Sequence, residues 1–198
     1  MCIRDSFNTD WMWSKTSNMM NTSEDFRETG QAEEHNDVTT QTDGRNSLIA
    51  SKLVVTAPLL GGNFSFGGEY SYSERKTVYT VLPKDIIDDD NSRIEEGMAS
   101  AFIEYARQFG PVNMQVGLRY ENVNFDYFED NVYKDGQSKV YSNLFPSLAL
   151  SAMFGKLNLQ LGYAADIHRP SYSQLRSNIT YDNRYTYEGG NPFLSLIH

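Results

Sequence analysis

The sequence predicts an all-β fold: an antiparallel up-and-down sheet of about seven strands that crosses a membrane as an incomplete part of a larger barrel. Three observations predict it. A segment with Asn followed four residues later by Gly starts at Asn63, Asn113 and Asn158, that is, at intervals of 50 and 45 residues. Each copy alternates apolar and polar residues with period two. The connections between the predicted strands alternate between short and long, as in membrane barrels.

The alternation gives each repeat two unlike faces. The apolar face runs for nine residues each time, for example from Val112 to Tyr120, and a tilted membrane strand needs about 9–11 residues. The opposite face is too polar for a protein core, because a buried polar group without a partner costs about 1–3 kcal/mol. It fits a wet or plug-filled lumen. We therefore predict that the following polar residues face a lumen: Glu69, Gln115, Arg119, Glu121, Gln160 and Asp166.

The lengths of the connections support the same fold. The predicted strands cover residues 7–16, 46–58, 63–79, 94–109, 112–128, 141–154 and 157–169. Tight turns at 59–62, 110–111 and 155–156 alternate with polar loops at 17–45, 80–93, 129–140 and 170–192. Outer-membrane barrels have short periplasmic turns and long extracellular loops, whereas a soluble sandwich has no reason to alternate them. Seven strands are too few and odd in number for a closed bacterial barrel, so the sheet is incomplete.

Aromatic residues lie near both ends of the apolar stripe. Tyr70, Tyr72, Tyr120 and Tyr163 are at one end, and Phe109 and Phe154 at the turns, which predicts two interfacial girdles. Beyond Tyr120 the apolar residues change parity, since Val123, Phe125 and Tyr127 hold odd positions. This change predicts a β-bulge where the strand leaves the bilayer.

Composition narrows the function. The net charge of -9 and pI near 4.8 argue against a nucleic-acid partner, which needs clustered Lys and Arg. The sequence contains no apolar run of about 18 residues, so it predicts no transmembrane helix.

Both ends of the sequence resemble translated sequencing adapters. We assign residues 1–6 and 194–198 as adapter-like and non-native, and residues 7–193 as a partial outer-membrane β-barrel domain.

Candidate chemistry is sparse. Residues 88–90 are three consecutive Asp, but their spacing is not that of a calcium loop, so a solvated loop is favoured. No His, Cys and carboxylate spacing predicts a metal site, and no phosphate loop or nucleophile motif is present. We expect no catalytic residue, no metal, no cofactor and no enzyme activity. For Tyr181, Arg184, Tyr185 and Tyr187 two interpretations stay open, extracellular ligand contact or packing on neighbouring loops.

Three segments carry a family resemblance: Phe-Pro-Ser-Leu at 145–148, Arg-Pro-Ser-Tyr-Ser-Gln-Leu at 169–175, and Tyr-Thr-Tyr-Glu-Gly-Gly-Asn-Pro at 185–192. They resemble the barrel of TonB-dependent receptors and the related outer-membrane β-barrel protein family, over roughly residues 7–193. The resemblance implies a 22-strand barrel, an N-terminal plug, energy from the TonB system and a location in the outer membrane of a Gram-negative bacterium. The expected function is ligand uptake, and the expected partners are outer-membrane lipid, the plug and TonB.

Two other functions stay open at this point. One is an outer-membrane barrel without a plug, either a porin or a surface adhesin. The other is a soluble all-β glycan-binding module. The ligand is open among siderophore, vitamin, oligosaccharide and peptide, and so are a surface lipoprotein partner and the strand number of the whole barrel.

Overall fold

The computed structural model describes residues 3–27, 34–175, 179–191 and 194. The adapter-like residues 1–2 and 195–198, and residues 192–193 of the resemblance, lie outside them. One antiparallel sheet contains β1 (Arg4–Phe26), β2 (Glu34–Leu59), β3 (Gly62–Leu82), β4 (Asp90–Phe109), β5 (Val112–Glu129), β6 (Val132–Tyr133), β7 (Lys139–Phe154) and β8 (Leu157–Ala164). The helix α1 (Tyr172–Leu175) and a hairpin of β9 (Ile179–Asn183) and β10 (Thr186–Gly189) follow.

The sheet confirms the predicted fold class. Seven long strands pair antiparallel in chain order, and the two-residue β6 pairs only with the end of β5. In the described residues β1 and β8 each pair with one strand only, and lipid does not tolerate such open edges. The sheet is therefore an incomplete barrel wall. No helix within the described ranges is both long and apolar enough to span a membrane.

The three predicted tight turns are confirmed, and all have two residues. They join β2 to β3, β4 to β5 and β7 to β8 at one end of the sheet. Gly110 and Gly155 have φ values of 57° and 62°. Glycine adopts this left-handed conformation without the Cβ clash of other residues, and such turns match the twist of the strands that they connect.

The predicted loops were too long at the other end. The loop at 17–45 is wrong, because β1 and β2 pair without a break from Arg4 opposite Thr56 to Phe26 opposite Glu34. Polar residues form strands here because neither face has to be apolar outside the membrane, so no alternation marks them. Conversely, the predicted strand 157–169 stops at Ala164. The predicted loops 129–140 and 170–192 contain β6, and α1 with the β9–β10 hairpin, respectively.

The predicted bulge beyond Tyr120 is also wrong. The β4–β5 register runs unbroken from Ser92 opposite Glu129 to Phe109 opposite Val112, and the β5–β7 register is equally regular. The backbone register is therefore constant, and the apolar residues beyond Tyr120 simply lie on the opposite face of the sheet from those before it. Three of them are buried on the same face as Gln115: Val123, Phe125 and Tyr127, with exposed fractions of 1%, 6% and 0%.

The register defines two faces of the wall. We call the face that carries Lys52, Glu69 and Arg119 the inner face, because the segment after β8 folds over it. The outer face carries the apolar stripe. Its members alternate with the inner residues along every long strand and are largely exposed in the sheet, among them Phe7, Trp11, Leu53, Phe66, Ile103, Val116, Leu118, Leu144, Leu159 and Leu161.

Candidate functional site

A chain of ion pairs crosses the inner face. We call it the inner ladder; it consists of Lys52, Glu69, Arg119, Glu121 and Arg169. Lys52 Nζ lies 3.8 Å and Arg119 Nη1 lies 3.5 Å from Glu69 Oε2. The Arg119 Nε donates to Glu121 Oε1 at 2.7 Å, and the Arg169 Nη2 donates to Glu121 Oε2 at 2.6 Å. The ladder therefore joins β2, β3, β5 and the segment after β8 through alternating charges.

A small residue between the strands makes this ladder continuous. Ser100 of β4 lies opposite both Glu69 and Glu121 in the register. Its short side chain lets Arg119 reach across β4 to Glu69. Ser100 is 8% exposed, and its Oγ has no hydrogen-bond partner in the described residues. The ladder thus covers the buried hydroxyl of Ser100.

The glycines of the sequence repeat make room on the same face. A Cβ added to Gly67 would lie 2.1 Å from the carbonyl oxygen of Leu53 and 2.9 Å from the ring of Phe102. The Phe102 ring covers Gly67 and lies 6.0 Å from Lys52 Nζ. Close ring-to-backbone packing therefore requires Gly67 and supports the Lys52 end of the ladder.

The remaining predicted lumen residues take no part in the ion pairs of the ladder. Gln115 and Gln160 line a cavity of about 590 Å³ near the tight turns. Asp166 follows β8, where its Oδ1 accepts the Ile167 N–H at 2.7 Å. It lines a second cavity of about 390 Å³, which it shares with Arg119, Glu121 and Arg169.

The segment after β8 folds across the inner face. We call its described residues, 165–175 and 179–191, the strap. Its first part is fixed by the Arg169–Glu121 pair, and Tyr172 and Leu175 pack on an apolar cluster of Ile94, Phe125 and Tyr127. The ring of Tyr172 lies 4.9 Å from the Arg75 guanidinium carbon. Desolvation under the strap raises the pKa of Tyr172.

Tyr181 anchors the second part of the strap. It is 4% exposed and packs with Val38, Tyr79 and Val81. Its N–H donates to Tyr79 Oη at 2.9 Å, and its hydroxyl donates to Glu24 Oε2 at 3.1 Å. Burial raises the pKa of Tyr181, and the bond to Glu24 adds to this shift. Of the two interpretations open for this residue, the geometry favours packing.

Arg184, Tyr185 and Tyr187, the other three residues with two open interpretations, follow Tyr181 in the strap. The Arg184 guanidinium carbon lies 4.4 Å from the centroid of the Phe26 ring. The backbone N–H of Arg184 donates to Glu24 Oε1 at 2.9 Å. Tyr185 is 76% exposed and Tyr187 is 49% exposed. Ligand contact by these exposed rings stays a prediction.

A cavity that the sequence did not predict lies between the strap and the wall. It measures about 440 Å³, and its lining includes three cations and one carboxylate, Arg75, Lys139, Arg169 and Glu96, beside aromatic rings. Lys139 Nζ donates to a backbone carbonyl of residue 194 at 2.7 Å. The change of parity at 123–127 is the sequence feature that could have predicted this cavity, because apolar residues on the inner face require a cover. Within the described ranges no group of three or more His, Cys, Asp or Glu side chains could hold a metal ion.

An exposed apolar outer face, a polar inner face and an end formed by two-residue turns together define the wall of an outer-membrane β-barrel. The chain belongs to the outer membrane protein beta-barrel family, whose model matches residues 5–195. This membership places it in the outer membrane. No curated protein sequence matches the chain.

Three solved structures are similar to the chain at low sequence identity. The ferric citrate transporter FecA, in its unliganded form, is similar with a TM-score of 0.52 and 11% identity over 79% of this chain and 24% of that one. The translocator domain of the autotransporter NalP from Neisseria meningitidis scores 0.42 at 11% identity, over 76% of this chain and 53% of that one. The alcaligin receptor FauA from Bordetella pertussis scores 0.42 at 8% identity, over 82% and 35%. The chain thus spans about a quarter of FecA, and that likeness concerns the fold alone.

Proposed function

We propose that this chain is part of the barrel wall of a TonB-dependent receptor, which takes up a ligand through a plugged outer-membrane barrel. The observation that carries the proposal is the inner ladder. In it every charge from Lys52 to Arg169 has an opposite charge within 4.0 Å. The ferric citrate transporter FecA, whose fold the chain shares, is itself a transporter, and the proposal extends this role to the present chain.

The pairing favours a covered inner face. A charge that faces a wet pore needs no partner, because water solvates it and surface pairs contribute little. A charge that a plug dehydrates must be paired, since a buried charge without a partner is strongly destabilising. The Glu121 carboxylate accepts from two guanidinium groups and is only 13% exposed before any plug is added. Such a surface can take a polar plug without leaving a charge unpaired.

The proposed activity is binding and gated passage, not catalysis. The charged groups of the inner ladder are all engaged in ion pairs with each other. Their role in this proposal is to fix the inner surface on which the plug sits.

The strap favours one second candidate, an outer-membrane barrel without a plug. A loop that folds onto the inner face near the extracellular end narrows a barrel by itself. In this candidate the strap restricts the pore, and the inner ladder lines a wet channel.

The conductance of the intact protein that contains this chain separates the two candidates. In a planar lipid bilayer with potassium chloride we expect almost no conductance until mild urea releases the plug, and large conductance afterwards. We also expect the periplasmic domain of TonB to bind the purified protein. Conductance that is open from the start, with no TonB binding, would establish the second candidate.

A pair of variants tests the role of the inner ladder. Arg119→Gln removes the central cation and should raise the conductance before urea, because the plug then meets an unbalanced Glu69 and Glu121. The control Lys156→Gln removes an exposed cation from the β7–β8 turn and should leave it unchanged. An equal effect of both variants would contradict a plug-facing ladder.

A further inference from the structure

Three cations form a row on the outer face of the first three strands. We call Lys15, Arg45 and Lys76 the basic row. Lys15 lies directly opposite Arg45, and Arg45 lies directly opposite Lys76, on the face that carries the apolar stripe. Like charges directly opposite each other destabilise an antiparallel pair. Folding therefore does not explain the row, and a bound anion would.

None of the three cations of the basic row forms an ion pair with a described residue. In the part of the chain that the structure describes, no carboxylate lies within 4.0 Å of the three cations. Arg93 lies opposite Lys76 in the register, but unlike the basic row it has partners of its own. It pairs with Glu95, and its guanidinium lies 4.0 Å from the centroid of the Phe128 ring. Only the first three positions are thus left for an external anion.

A cavity marks the place of this anion. It has a volume of about 280 Å³ and is lined by the basic row together with Asp43 and Val78. The Asp43 carboxylate accepts a hydrogen bond from the Gln41 amide at 2.9 Å. Three cations and one carboxylate leave the lining net positive in a chain whose formal net charge is -9.

The height of the basic row matches a lipid head group. Lys15 lies two residues beyond Trp13 on the outer face, and Lys76 lies four residues beyond Tyr72. At about 3.3 Å per residue and a strand tilt near 40°, these steps are about 5–10 Å of height. Head groups extend about 5–8 Å beyond each side of the hydrocarbon layer. The cations lie on the long-loop side, which faces the outer leaflet.

We propose that the basic row binds the phosphate groups of a phosphorylated glycolipid in the outer leaflet of the outer membrane. Arg45 supplies a planar fork for two phosphate oxygens, and the two lysines supply compact charges on either side. The acyl chains then lie along the apolar stripe below, with Trp13 at the boundary. The inference needs only the outer-membrane location, so it holds for a plugged and for an open barrel.

The test uses the intact protein that contains this chain, purified in detergent and titrated with bis-phosphorylated lipid A in native mass spectrometry. Each basic residue near an anionic surface contributes about 1 kcal/mol, or about fivefold in affinity. We expect about fivefold weaker binding for Arg45→Gln and about 100-fold weaker binding for the triple variant Lys15→Gln/Arg45→Gln/Lys76→Gln. The control Lys156→Gln, which removes a cation at the other end of the sheet, should bind like the wild type.

Two further measurements can overturn the proposal, and a third checks that the variants fold. Dephosphorylated lipid A should bind the wild type about as weakly as bis-phosphorylated lipid A binds the triple variant; equal binding of both lipids by the wild type would overturn the proposal. Displacement of the lipid by millimolar inorganic phosphate would assign the site to free phosphate instead. The heat-modified shift of the barrel on gels reports folding, and the single variant Arg45→Gln carries the test if the triple variant does not fold.

Discussion

The clearest test of the two faces is the same charge placed on neighbouring residues of one strand. Val116 of β5 lies on the outer face between Tyr105 and Leu148, and Gln115 lies on the inner face between Ala106 and Ala149. Substituting either by Arg adds the same side chain to the same strand. The difference between the variants therefore measures the environment of each face.

The expected magnitude follows from depth. The apolar stripe of β5 runs from Val112 to Tyr120, so Val116 is four residues from each end. At about 3.3 Å per residue and a tilt near 40°, each half is about 10 Å deep. Val116 thus lies near the middle of an apolar band about 25 Å tall, where an Arg costs about 2–4 kcal/mol. This corresponds to about 30-fold to 900-fold in the folding equilibrium.

The assay is denaturant unfolding of the intact protein from lipid vesicles, with the midpoint and slope measured for both variants. Val116→Arg should lose about 2–4 kcal/mol, and Gln115→Arg should lose about 1 kcal/mol or less because its charge stays in a polar space. Tyr120→Arg places the charge at the interface, so its loss of stability should be close to that of Gln115→Arg. Equal losses for Val116→Arg and Gln115→Arg would refute the assignment of the faces.

Three more predictions concern other parts of the wall. Gly67→Ala should destabilise the barrel by about 1–3 kcal/mol in denaturant unfolding, because its Cβ would overlap backbone, whereas Gly162→Ala, with open space around it, should change it by about 0.5 kcal/mol or less. Arg169→Ala should detach the start of the strap and speed limited proteolysis at 165–175. His35 bonds and pairs with Asp25 and Asp37, which raise its pKa above 6.5. Its contribution is complete below the unfolded value and is lost as pH rises through the folded one, so the hydrogen-exchange protection factors at the outer end of β1–β2, which are corrected for the base-catalysed intrinsic rate, should fall as pH rises and should lose this dependence in His35→Gln.

Each of these predictions has a contrary result. Equal midpoints for the two alanine variants would mean that the Phe102 ring and the backbone near Gly67 can move aside. Unchanged proteolysis in Arg169→Ala would mean that the apolar contacts of Tyr172 and Leu175 hold the strap alone. A pH-dependent protection factor that persists in His35→Gln would assign the effect to another group.

The membrane part of the wall could be predicted from sequence because lipid and lumen impose opposite polarities on alternate residues. Val116 and Gln115 show this directly, and so do the two-residue turns, whose glycines are local signals. The hairpin end of β1 and β2 could not be predicted, since Thr, Asn and Asp on both faces look like a loop when neither face meets lipid. Arg45 was placed in a loop for that reason.

Other features depend on contacts between residues far apart in sequence. The basic row needs the register of three strands, because its members are about 30 residues apart. The strap needs the position of Tyr181 over Tyr79, which no local pattern encodes. The parity change at Val123 was visible in the sequence, but it was interpreted as a bulge. Only the unbroken β4–β5 register decides for the cover.

The outer and inner faces of the wall exchange their apolar and polar character at the level of Glu121. On the membrane side of it, the outer face is apolar and the inner face is polar. Beyond it, the outer face is charged, and the inner face carries the apolar cluster under the strap. Glu121 accepts from Arg119 of the inner ladder and from Arg169 of the strap. One carboxylate therefore balances both, so a change that draws Arg119 away leaves Glu121 to Arg169 alone and strengthens its hold on the strap. The strap is consequently joined to Arg119 of the inner ladder through the Glu121 side chain.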